Sequence, residues 1–83
     1  MSSTPETVDL KFGSVPGATI VVQFEPLGTL FEVSDGDYVV LRAPLHAVGS
    51  IEVLGFPSGI SVWVLHGEEY IILDRNGAEL DRL

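Results

Sequence analysis

The side chains that could hold a metal ion or carry a proton near neutral pH are few in this chain. His46 and His66 are its only histidines, and cysteine is absent. A two-histidine, one-carboxylate centre would join them to an acid such as Glu25, Glu52 or Glu68. Such a centre needs donors at offsets that one strand or turn brings together. No HxH pair, no HExxH run and no acid at a matching offset occurs. Both histidines therefore read as polar residues at strand ends, and neither a metal nor another cofactor is expected.

The remaining candidates for chemistry are weaker still. Asp35-Gly36-Asp37 has the acids of a calcium loop but lacks the further alternating acids and the closing glutamate, so a corner or hairpin turn accounts for it. Ser58 sits in Gly55-Phe56-Pro57-Ser58-Gly59, which is hairpin chemistry and not the GxSxG nucleophile elbow. Glu68 and Glu69 are adjacent, and neighbours on an extended chain point to opposite faces, so they do not converge as an acid–base pair. Neither GxGxxG nor GxxxxGK[ST] is present to cradle a phosphate. No catalytic residue is assigned, and the chain is not expected to be an enzyme.

The run Gly36 to His46, GDYVVLRAPLH, resembles the second motif of the cupins over eleven residues. Its spacing differs, and the paired histidines and glutamate of that family are missing. The resemblance implies a small β-barrel closed around an apolar small molecule.

The elements that must position these residues are strands. No segment keeps a helical period over three turns, whereas short β-branched and aromatic runs recur between Gly, Pro, Asp and Ser. Val8, Leu10 and Phe12 alternate with Asp9 and Lys11 in a strand over Thr7–Phe12. Further strands are expected over Ala18–Glu25, Thr29–Val33, Asp37–Ala43, Ile51–Phe56, Ile60–Leu65, Glu69–Leu73 and Ala78–Leu80. Turns fall at Ser14–Gly17, Ser34–Asp37, Pro57–Gly59, Gly67 and Asp74–Gly77. Pro44–Val48 has room for a single helical turn. Short connections favour antiparallel neighbours, so the expected fold is all-β: a meander of seven to eight short strands forming a compact antiparallel sandwich or a partly closed small barrel. Residues 1–6 read as a disordered tail and residues 7–83 as a single all-β domain.

Composition narrows the partners. Twelve acidic residues face four basic ones, Lys11, Arg42, Arg75 and Arg82, for a formal charge of −8. Phosphate backbones and anionic lipid surfaces both require clustered cations, so neither nucleic acid nor membrane is expected as a partner. The first six residues have no basic region and no apolar stretch of a secretion signal. The apolar runs Tyr38–Leu41 and Trp63–Leu65 are too short to cross a bilayer, and a cytoplasmic location is expected.

A chain of this size buries only roughly 60% of its unfolded surface, yet 46% of its residues are hydrophobic. Tyr38–Leu41, Ile60–Leu65 and Tyr70–Leu73 are apolar on both faces, where a sheet with one wet side should alternate. The excess suits a non-catalytic protein-interaction or assembly domain. Self-association, most simply a two-fold dimer, would use Tyr38, Val39, Trp63, Tyr70 and Ile71. The acidic balance adds a basic protein partner as a second expectation. A sharper form of it is an inhibitor or immunity-type protein masking a basic surface.

Overall fold

The computed structural model describes residues 6–83. Eight strands run in the order β1 (Thr7–Gly13), β2 (Thr19–Glu25), β3 (Thr29–Ser34), β4 (Tyr38–Pro44), β5 (Glu52–Phe56), β6 (Gly59–Trp63), β7 (Ile71–Leu73) and β8 (Glu79–Arg82). A 3-10 helix at Leu45–Ser50 lies between β4 and β5, where the sequence leaves room for one helical turn. Of the expected disordered tail only Glu6 falls within the described residues, and its carbonyl accepts a hydrogen bond from the Leu45 amide.

Two four-stranded sheets result, one ordered β1-β4-β7-β8 (sheet A) and the other β3-β2-β6-β5 (sheet B). They pack against each other as layers, and no closed barrel forms among the described residues. The barrel closure implied by the cupin resemblance is therefore absent. The strand count matches expectation, but the meander does not. Only β2–β3, β5–β6 and β7–β8 pair as sequence neighbours, while β1 pairs with β4, β4 with β7 and β2 with β6. The β2–β6 pair is parallel, against the antiparallel expectation. The short turns after β1, β3 and β6 step from one layer to the other, and loop length alone does not distinguish such a step from a turn within a sheet. A parallel pair needs a long intervening segment, and β3, β4, the 3-10 helix and β5 supply it.

Alternation explains the core. Val22 and Phe24 of β2, Val33 of β3 and Val62 of β6 face Val39, Leu41 and Ala43 of β4 and Ile72 of β7, with Tyr70 and Ala47 completing the cluster. Phe24 is its hub, meeting Phe12 and Phe31 edge-on with ring centroids 6.0 and 6.1 Å away. No polar or charged side chain is buried among the described residues.

Two turns stitch one end of the layers together. Asp35 and Gly36 both adopt positive φ, 52° and 76°, which the short Asp side chain and glycine tolerate. The Asp35 carboxylate accepts a hydrogen bond from the Gly17 amide at 3.0 Å, and Ser14 Oγ accepts one from the Gly36 amide. Both aspartates of the Asp-Gly-Asp run are engaged in turns, since Asp37 accepts from the Tyr38 amide.

Candidate interaction surface

The outer faces of the two sheets differ in kind. On sheet A the register aligns Asp9, Arg42, Ile71 and Arg82 in one row and Lys11, Val40 and Leu73 in the next. Arg42 holds Asp9 through two hydrogen bonds, at 2.8 and 3.0 Å. That contact keeps the Asp9 carboxyl below the usual carboxylate range and raises the Arg42 guanidinium. Arg82 is held by Glu79 and Glu69. Tyr38 carries Lys11 Nζ 4.8 Å from its ring centre and the Arg75 guanidinium at 5.8 Å. On the same face Val40 and Leu73, in the row of Lys11, are only 8% and 6% exposed. Lys and Arg stems can cover apolar surface while their heads stay wet. The doubly apolar pattern of β4 and β7 is thus absorbed within the monomer, and it does not require a partner as the sequence suggests.

Sheet B presents the opposite surface. Leu30, Gln23, Ser61 and Leu54 form one row across it, Glu32, Val21, Gly59 and Phe56 the next, and Glu25, Trp63 and Glu52 a third. Leu30 is 56% exposed, Leu54 48% and Trp63 43%. No lysine or arginine stands in these rows.

The edge of this sheet is also bare. Every residue of β5 from Glu52 to Gly55 is exposed, and Val53, which faces the core side opposite Val62, is still 48% exposed. The other edge strands carry charge within their length: Asp9 and Lys11 in β1, the single Glu32 in β3, and Glu79, Asp81 and Arg82 in β8, whereas the one charge of β5, Glu52, is its first residue. Charged residues are the usual protection of a sheet edge against further pairing. In β5 the run Val53-Leu54-Gly55-Phe56 has none.

The five residues expected at an interface do not gather in one patch. Val39 and Tyr70 lie in the core, Tyr70 at 1% exposure with its hydroxyl donating to the Leu65 carbonyl at 3.1 Å. Burial raises the Tyr70 hydroxyl above its ordinary value, and the nearby Glu68 charge adds to the rise while the Leu65 contact opposes it. Tyr38 and Ile71 belong to the cation-covered face of sheet A. Trp63 alone sits on the apolar face of sheet B. Sequence reasoning missed Leu30, Val53, Leu54 and the two acids beside Trp63. The uncharged run of β5 was no signal by itself, because β2 and β6 have longer ones and only strand order makes β5 an edge. Leu30 gave none, being one apolar residue in a short run.

The histidines are also separated. His46 Nε2 lies 2.9 Å from Glu68 Oε1, tying the 3-10 helix to the loop before β7. His66 lines a cavity of about 340 Å³ with Glu25, Leu65, Glu68, Tyr70 and Leu83; His46 is not part of that lining, although its partner Glu68 is. No three metal-ligating side chains converge among the described residues. No helix among them is long and apolar enough to cross a membrane.

Comparison of the chain with protein-family models, curated proteins and solved structures returns no match. Its function is therefore read from its own surfaces.

Proposed function

We propose that this chain is a non-catalytic assembly domain that associates with a second copy of itself through the free edge of β5. The observation that carries the reading is the contrast among edges: β5 alone lacks a charge over its central residues. An exposed apolar edge offers unpaired backbone donors and acceptors that another strand can satisfy.

A second copy fits this edge on three counts. A two-fold antiparallel pairing centred on Leu54 sets Leu54 against its twin and Val53 against Gly55. It places each Glu52 away from its twin, avoiding like charges directly opposite. Because one edge is open and the others are charged, pairing closes at two subunits and does not propagate as a fibre. The product is a continuous eight-stranded sheet made of two copies of sheet B.

Sedimentation velocity across a dilution series tests the reading, with Val53→Lys as the blocked variant. The wild type is expected to sediment as a dimer that dissociates on dilution, and the variant as a folded monomer with unchanged circular dichroism. A wild-type chain that is monomeric at every concentration would contradict the proposal, as would a variant that still dimerises.

A further inference from the structure

Charge is divided between the two outer faces of this molecule. Lys11, Arg42 and Arg82 stand on the outer face of sheet A, and Arg75 reaches over Tyr38 from the turn between β7 and β8. These are all the lysines and arginines the chain has. The outer face of sheet B has Glu25, Glu32 and Glu52 and no cation.

Within that face the register singles out one place. Trp63 is paired with Glu25 of β2 on one side and with Glu52 of β5 on the other. Phe24, Val62 and Val53 turn toward the core side, so alternation sends Glu25, Trp63 and Glu52 outward together. The Cβ atoms of residues so paired stand about 5 Å apart. Neither carboxylate is in an ion pair among the described residues; Glu25 accepts a hydrogen bond from the Gln23 side-chain amide.

A half-exposed indole between two uncompensated carboxylates matches one kind of group. The ring face attracts a cation, and the carboxylates accept charge-assisted hydrogen bonds from its N–H groups. We propose that Trp63, Glu25 and Glu52 receive a lysine or arginine side chain of a partner protein, with Leu30, Val21 and Leu54 beside them taking an adjoining apolar residue. A second copy of this chain is a poor donor. Arg42, Arg75 and Arg82 have carboxylate partners, and Lys11 lies over Tyr38. The proposal thus goes beyond self-assembly and rests on the face of sheet B, not its edge.

Trp63 is the only tryptophan, so its emission reports the site directly. The probe is a capped peptide, Gly-Lys-Leu-Arg-Gly, titrated into the full chain, with the same peptide carrying norleucine in place of Lys and Arg as control. A saturable change in Trp63 emission is expected with the cationic peptide only. Raising salt from about 0.05 to 0.5 M is expected to weaken it several-fold, because surface charge pairs are screened. Glu25→Gln with Glu52→Gln should weaken it roughly tenfold, consistent with loss of charge contacts on an exposed ring. An equal response to the norleucine peptide, a response indifferent to salt in the wild type, or none at millimolar peptide would each overturn the proposal. Sedimentation of the same samples keeps the two readings apart: a monomer that binds the peptide loses the dimer but keeps this site, and a dimer that ignores it does the reverse.

Discussion

Tyr70 shows what a single residue does here. Its ring fills the core between the sheets while its hydroxyl reaches the Leu65 carbonyl, tying the segment before β7 to the chain leaving β6. Tyr70→Phe keeps the ring and removes that hydrogen bond, for an expected loss of about 1 kcal/mol in urea unfolding. The sign of its pH dependence follows from burial, which holds the hydroxyl above its ordinary value of 10.0. The folded state favours the protonated form, so the stabilisation is whole below that value and is lost as pH rises through the raised one. Alkaline titration of stability should therefore fall more steeply in the wild type than in Tyr70→Phe. From the sequence Tyr70 looked like a surface anchor, because a tyrosine heading an apolar run suits an interface as well as a core. Its place follows from the packing of its ring in the core cluster, with the hydroxyl meeting the Leu65 carbonyl of the same connection.

Strand positions were largely legible because alternation and turn residues are local properties. Thr7–Phe12 and Thr29–Val33 each fall one residue short of β1 and β3 at the C-terminal end, and Pro44–Val48 holds the start of the 3-10 helix. Strand order was not legible, because a four-residue turn serves equally to reverse a chain within a sheet and to carry it between layers. The parallel β2–β6 pair is the clearest case, and one residue records it. At Gly59 an added Cβ would stand 1.9 Å from the Val21 carbonyl oxygen. A glycine inside a strand often marks such a close backbone approach. Gly59→Ala must push β2 and β6 apart. It is expected to cost about 3 kcal/mol, at the upper end for an overpacked site, read as a lowered melting temperature. Gly55→Ala, where nothing lies within 4 Å of an added Cβ, is expected to change stability little. Equal effects at the two positions would mean that the β2–β6 approach is not the constraint.

Across the whole molecule the apolar excess is divided between two solutions. On sheet A Val40 and Leu73 are buried within the monomer while Leu80 stays exposed, and on sheet B it is left open at Trp63, Leu30, Leu54 and the β5 edge, with Val15 and Leu27 open in the connections. The sequence announced the excess but not its division, because the division depends on which strands share a face. The open edge is the central claim, and the backbone amides of β5 test it most directly. Phe56 and Gly59 flank a two-residue loop and form its hydrogen-bonded pair, so the Leu54 amide turns toward β6 and those of Val53 and Gly55 turn to the free edge. Amide hydrogen exchange, resolved by residue and run at high and low protein concentration, reads their state. The Val53 and Gly55 amides should be protected at high concentration and exchange freely on dilution, while the Leu54 amide stays protected throughout. Fast exchange at Val53 and Gly55 in a sample shown by sedimentation to be dimeric would place the contact elsewhere and contradict the account.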